Sequence, residues 1–174
     1  MELVRDVAAL LNAMRDSGVI TGYAPFGAAA QMRYTEPVAT LDADVLVAGP
    51  APGRMDTLGP IYEFCRTRGF EPEGESVRVG AWPVRFAPVF SQLTRDALPA
   101  AETADFEGVP FRVVSAVYLA VIALSVGRAR DFARVLALME SGAVTPEDIG
   151  MLAVRQGLAD AWDRFSTRFL DDRR

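Results

Sequence analysis

A chain of 174 residues, 51% of them apolar, can fill one domain with its own core plus a small helical appendage, and is too short for two large domains. It contains neither histidine nor lysine, which excludes Ser-His-Asp and Cys-His triads, histidine-bearing zinc sites, Schiff-base lysines and a P-loop lysine; carboxylates, arginines, hydroxyls and oxygen-bound hard cations remain. All 18 basic residues are arginine and the net charge is −5, which argues against an electrostatic nucleic-acid binder, and the single cysteine, Cys65, excludes an internal disulfide and reads as a packed side chain.

The N-terminus carries Glu2 and Asp6 and lacks the basic start and apolar core of a secretory signal. The longest apolar stretch, residues 113–126, is broken by Ser115 and Ser125 and falls short of the roughly 20 residues a membrane span needs. A cytoplasmic protein with no membrane segment is expected.

Leu3, Val4, Val7, Leu10, Leu11 and Met14 recur at helical spacing, with Gly18 as the stop. Residues 19–26 read as a short strand entering Gly27, and residues 28–33 as a helix that Pro37 prevents from continuing. Residues 42–47 form the next predicted strand. Leu58, Ile61, Tyr62, Phe64 and Cys65 define a helix ending near Gly69, followed by an acidic connection. Residues 76–80 and 82–90 read as a hairpin, and residues 111–114 as a further strand after a turn at Glu107-Gly108. Four helices complete the chain, over residues 116–126, 129–139, 146–155 and 158–169, with Thr145-Pro146-Glu147-Asp148 as a start signal. The crossover between Val47 and Ser76 implies a mixed sheet. The expected fold class is α/β: a small mixed-sheet core over residues 1–114 and a C-terminal helical part over 115–174 packed on it, with Leu119, Ile122, Val126, Phe132, Val135, Leu136 and Leu138 in a core shared with the sheet.

Asp42 and Asp44 stand two residues apart on an apolar strand, so both side chains leave one face while Ala43 and Val45 leave the other. Paired carboxylates repel unless a cation or a basic partner neutralises them; at a sheet edge, water alone suffices.

The order Phe26-Gly27-Ala28, then Thr40-Leu41-Asp42-Ala43-Asp44, resembles the signature of the nucleotidyltransferase superfamily, a glycine and a small residue followed by paired aspartates. Residues 82–88, 93–98, 113–115 and 127–131 are similar to later landmarks of a branch that includes the AbiEii-type toxins and related minimal bacterial proteins. The resemblance covers about residues 27–131 and implies a nucleotidyltransferase-like fold. It implies Mg²⁺ on Asp42 and Asp44, and a nucleoside triphosphate near Gly27, Ala28, Thr40, Arg85 and Arg130. Asp131 joins the two aspartates in the implied catalytic group. The alternative for Arg130-Asp131 is a capping and ion-pair cluster at a helix start. The implied activity is transfer of a nucleoside monophosphate to an RNA or protein hydroxyl, in a toxin or defence component with a possible antitoxin partner.

The chain also departs from that pattern. Ala28 lacks the hydroxyl many members have, and Val38 stands where arginine often precedes the threonine. The third carboxylate, expected on a strand antiparallel to the Asp-x-Asp strand, is matched by Arg85, which cannot ligate Mg²⁺ and would instead pair with Asp42 or Asp44. The second expectation is therefore a catalytically degenerate nucleotide-binding or protein-interaction module of the same fold.

Overall fold

The computed structural model describes residues 2–38, 40, 42–50 and 56–171. The chain divides into two compact units, Met1–Ala29 with Ala39–Val114, and Ala30–Val38 with Ser115–Arg174.

The first unit is built on helix α1 (Glu2–Asp16), strand β1 (Gly22–Phe26), strand β2 (Ala43–Ala48), helix α3 (Leu58–Thr67), strands β3 (Pro72–Glu73), β4 (Ser76–Val79) and β5 (Trp82–Pro88), helix α4 (Gln92–Ala97), and strands β6 (Glu102–Phe106) and β7 (Val109–Val113); helix α2 (Gly27–Gln31) leads from it into the second. Five strands make a mixed sheet in the order β1-β2-β5-β4-β3, and β6 with β7 makes a separate antiparallel pair. β1 runs antiparallel to β2, whereas β2 and β5 are parallel, as the crossover through α3 requires. The strand that carries Arg85 is thus parallel to the aspartate strand, not antiparallel. The reason lies in the hairpin: β5 is the strand that borders β2, and β4 lies outside it.

Alternation fixes the two faces of the sheet. Ala43, Val45 and Val47 of β2, Val77 and Val79 of β4, and Val84 and Phe86 of β5 point into a core with Leu11 and Met14 of α1 and Ile61 and Cys65 of α3. Burial pushes the Cys65 thiol up to about 11, which leaves it a packed, unreactive group. Tyr23 on β1 donates to Asn12 Oδ1 at 2.6 Å, and Asn12 donates to the Pro110 carbonyl at 2.6 Å, so α1, β1 and β7 share one polar tie. Such a tie satisfies the Tyr23 hydroxyl that burial would otherwise strand.

The second unit contains helices α5 (Ala116–Val126), α6 (Ala129–Glu140), α7 (Pro146–Arg155) and α8 (Ala159–Phe169). α5 is apolar around most of its circumference and buries Leu119, Val121, Ile122 and Leu124; Gly127, with φ of 72°, ends it in a left-handed cap. α7 begins with a capping box in which Thr145 and Asp148 satisfy each other's backbone, with Pro146 in the first turn. Among the described residues no helix is long and apolar enough to cross a membrane.

Candidate functional site

The side chains of Asp44 and Arg85 leave the sheet on the face opposite the Val45 and Val84 core. In the parallel ladder Asp44 is the direct neighbour of Arg85, and in the antiparallel one it is the neighbour of Phe26. Asp42 lies just ahead of β2 rather than within it, and the Thr40 hydroxyl donates to its backbone carbonyl at 2.8 Å. Thr40 therefore shapes the approach to the strand.

Gly27 has φ of 65°, and a Cβ placed there would lie 3.4 Å from Asp44 Oδ2. The glycine allows the left-handed turn out of β1, while a Cβ there would make only ordinary contact with the carboxylate. Ala28 follows it in α2, half-buried. α2 is only five residues long, so it adds little macrodipole.

One guanidinium closes the pair of carboxylates. Arg85 Nη2 lies 2.8 Å from Asp42 Oδ2 and 2.9 Å from Asp44 Oδ1, and Nε donates to the same Asp44 oxygen at 3.0 Å. Planar guanidinium geometry suits this arrangement. The three side chains are 44%, 36% and 31% exposed, respectively, so the bridge sits at a wet surface rather than in a core.

The donor set does not fit Mg²⁺ in this arrangement. Magnesium needs near-octahedral oxygen ligation, and here one inward oxygen of each aspartate is already bonded to a cation that cannot ligate a metal. No group of three or more histidine, cysteine or acidic side chains converges among the described residues.

In the second unit, Asp131 is 1% exposed and occupies the third position of α6, where its carboxylate receives the Arg128 backbone N–H at 3.2 Å and Nε at 2.7 Å, with Arg134 Nη1 at 3.3 Å. Arg134 Nε also donates to Gln31 at 3.0 Å. Burial pushes the Asp131 carboxyl up, but the bonds from Arg128 and the charges of Arg128 and Arg134 outweigh it and hold the group below its ordinary range. Its basic partners are thus Arg128 and Arg134, and Arg130 is exposed on the same helix. The arrangement has the form of the capping and ion-pair cluster. The spacing of Arg128 three residues before Asp131 was the available signal, and sequence reasoning passed over it in favour of the adjacent arginine.

No family model matches this sequence, and no curated protein matches it. Solved structures do resemble it. The antibiotic-resistance factor ANT(2'')-Ia in solution aligns with a TM-score of 0.58 at 13% identity, over 97% of this chain and all of that one (100%). An antigenic nucleotidyltransferase-like protein from Paracoccidioides brasiliensis aligns with a TM-score of 0.59 at 14% identity, over 93% of each chain. ANT(2'')-Ia in complex with adenylyl-2''-tobramycin gives a TM-score of 0.50 at 12% identity, over 94% of this chain and 97% of that one. The chain therefore has a nucleotidyltransferase-like fold, with a mixed five-stranded sheet.

Proposed function

We propose that this protein is a nucleotidyltransferase-fold binding module in which an arginine has taken over the metal's electrostatic role, so that it holds a nucleotide without transferring its nucleotidyl group. The observation that carries this reading is the Arg85 bridge to both Asp42 and Asp44. A guanidinium neutralises the carboxylates as a metal would, but it cannot polarise a phosphate as a Lewis acid or activate an attacking oxygen. Gly27 lies beside Asp44, and the likeness to ANT(2'')-Ia in complex with adenylyl-2''-tobramycin makes an adenine nucleotide the first ligand to test.

A second reading keeps the enzyme, because the bridge is exposed. Pairs between side chains this accessible are worth only about 0.2–1 kcal/mol each, so an incoming Mg²⁺-nucleotide could displace Arg85 toward phosphate. On that reading the protein acts on an RNA or protein hydroxyl as a toxin or defence component with an antitoxin partner.

Calorimetric titration of ATP, with and without Mg²⁺, into the parent, Arg85→Asp and Asp42→Asn proteins separates the two. The module reading expects metal-independent binding by the parent, no pyrophosphate release, and tighter Mg²⁺ binding by Arg85→Asp. Pyrophosphate release by the parent that Asp42→Asn abolishes would establish the enzyme instead. Equal, negligible binding by all three proteins would reject both.

A further inference from the structure

At the opposite end of the sheet the first unit holds a cleft of about 1120 Å³. It opens where β1 begins and β2 and β5 end, at Thr21, Ala48 and Val89. Asp44 and Ala48 are four residues apart on one strand, which places the cleft about 13 Å from the aspartates. The two sites therefore do not overlap.

Three arginines from three separate elements line this cleft: Arg15 at the end of α1, Arg95 on α4 and Arg112 on β7. Their charges are poorly compensated. Arg15 pairs with Asp16 at 3.2 Å, but neither Arg95 nor Arg112 has a carboxylate partner among the described residues. Arg95 is exposed and reaches only the Gln92 side chain, at 3.4 Å. Arg112 Nη2 donates to the carbonyls of Pro99 and Ala101, and its Nε is buried without a partner. Asp56 is the lining carboxylate, and its Oδ1 accepts from the Gly59 N–H at 2.7 Å, at the start of α3. In a chain with a net charge of −5, gathering guanidinium groups around one concavity concentrates positive potential that a bound anion would neutralise. The remaining wall is largely apolar, with Leu58, Pro88, Val89 and Leu98.

We infer that this cleft is a binding site for a small phosphate monoester: its phosphoryl group lies among Arg15, Arg95 and Arg112, and its organic portion lies against the apolar wall. Guanidinium groups match phosphoryl oxygens in geometry and charge. The cleft volume is ample for an ester of that kind. The inference goes beyond the proposed function, because none of these residues takes part in the Asp42–Asp44–Arg85 bridge.

The test uses the full chain and three probes: phenyl phosphate, inorganic phosphate and benzoate. Calorimetry measures affinity, and amide chemical-shift changes at Thr21, Gly49 and Leu98 report the place. Saturable binding of phenyl phosphate is expected, at least tenfold tighter than either other probe, with shifts at those amides. Arg95→Gln should weaken it at least tenfold, and Arg15→Gln supplies a second exposed variant; a thermal unfolding curve confirms that each is folded. Arg85→Ala should leave this binding unchanged. Loss in Arg85→Ala but not in Arg95→Gln would place the ester at the aspartates and overturn the inference. No saturable binding would overturn it too, as would equal affinity for benzoate, while equal affinity for inorganic phosphate would remove the organic portion from the assignment.

Discussion

Replacing Arg85 with alanine isolates what the bridge does. The variant loses three contacts of 2.8–3.0 Å and leaves two neighbouring carboxylates with no cation between them. Because all three groups are partly exposed, the two ion pairs together with relief of carboxylate repulsion should contribute about 1–2 kcal/mol, which for a chain of this size lowers the melting temperature by about 2–8 °C. High salt should shrink that loss. Adding Mg²⁺ gives the sharper reading. If the vacated pair binds the ion with a dissociation constant of about 1 mM, then about 10 mM Mg²⁺ stabilises the variant by about 1.4 kcal/mol, or about 3–6 °C. In the parent the ion must first displace the guanidinium, which weakens binding about tenfold and reduces the gain to about 0.4 kcal/mol. Differential scanning fluorimetry at constant ionic strength measures both shifts. Equal shifts in parent and variant, or none in the variant, would refute the idea that Arg85 occupies the place of a cation.

Asp131→Asn should cost about 2 kcal/mol at pH 7, because Arg128 and Arg134 lose their buried counter-charge. The Asp131 carboxyl is held below its ordinary 3.8, so its stabilisation is present above that value and disappears as pH falls through the lowered one; urea unfolding should show the gap between parent and variant closing there. Gly27→Ala should destabilise the protein by about 1–2 kcal/mol, since φ of 65° is strained for any residue with a Cβ; thermal unfolding would show the loss. Cys65, fully buried and with its thiol pushed up to about 11, should react with a thiol reagent only in denaturant, as absorbance at the end point of labelling would report.

The helices were the most legible part of the sequence. Residues 116–126 and 146–155 match α5 and α7 at both ends, because a glycine cap ends one and a Thr-Pro start opens the other. A period of two placed both aspartates on one strand face, but Asp42 lies just ahead of β2 and meets Asp44 through Arg85. β6 escaped notice because Glu102, Thr103 and Asp105 leave it little apolar alternation, although the turn at Glu107 and Gly108 that closes its hairpin was read correctly. α4 escaped because it is six residues long, and its only sign was the Ser91–Thr94 capping box. Whether β4 or β5 lay against β2 depends on tertiary packing, so the direction of the strand carrying Arg85 could not be read locally. Local pattern likewise gave no hint that Arg15, Arg95 and Arg112 line one cleft, since they come from elements far apart in the chain.

The bond from Arg134 to Gln31 spans 103 residues, and it joins α6 to a segment, Ala30–Val38, that leaves the ribosome long before the rest of its unit. At about 5–20 residues per second, that segment waits about 5–20 s for its partner to be synthesised. During that interval Gln31, which is buried in the finished protein, has no Arg134 to bond. Synthesis therefore imposes an order on the two units: the second cannot close until its last helices have emerged, whatever the sheet has done by then.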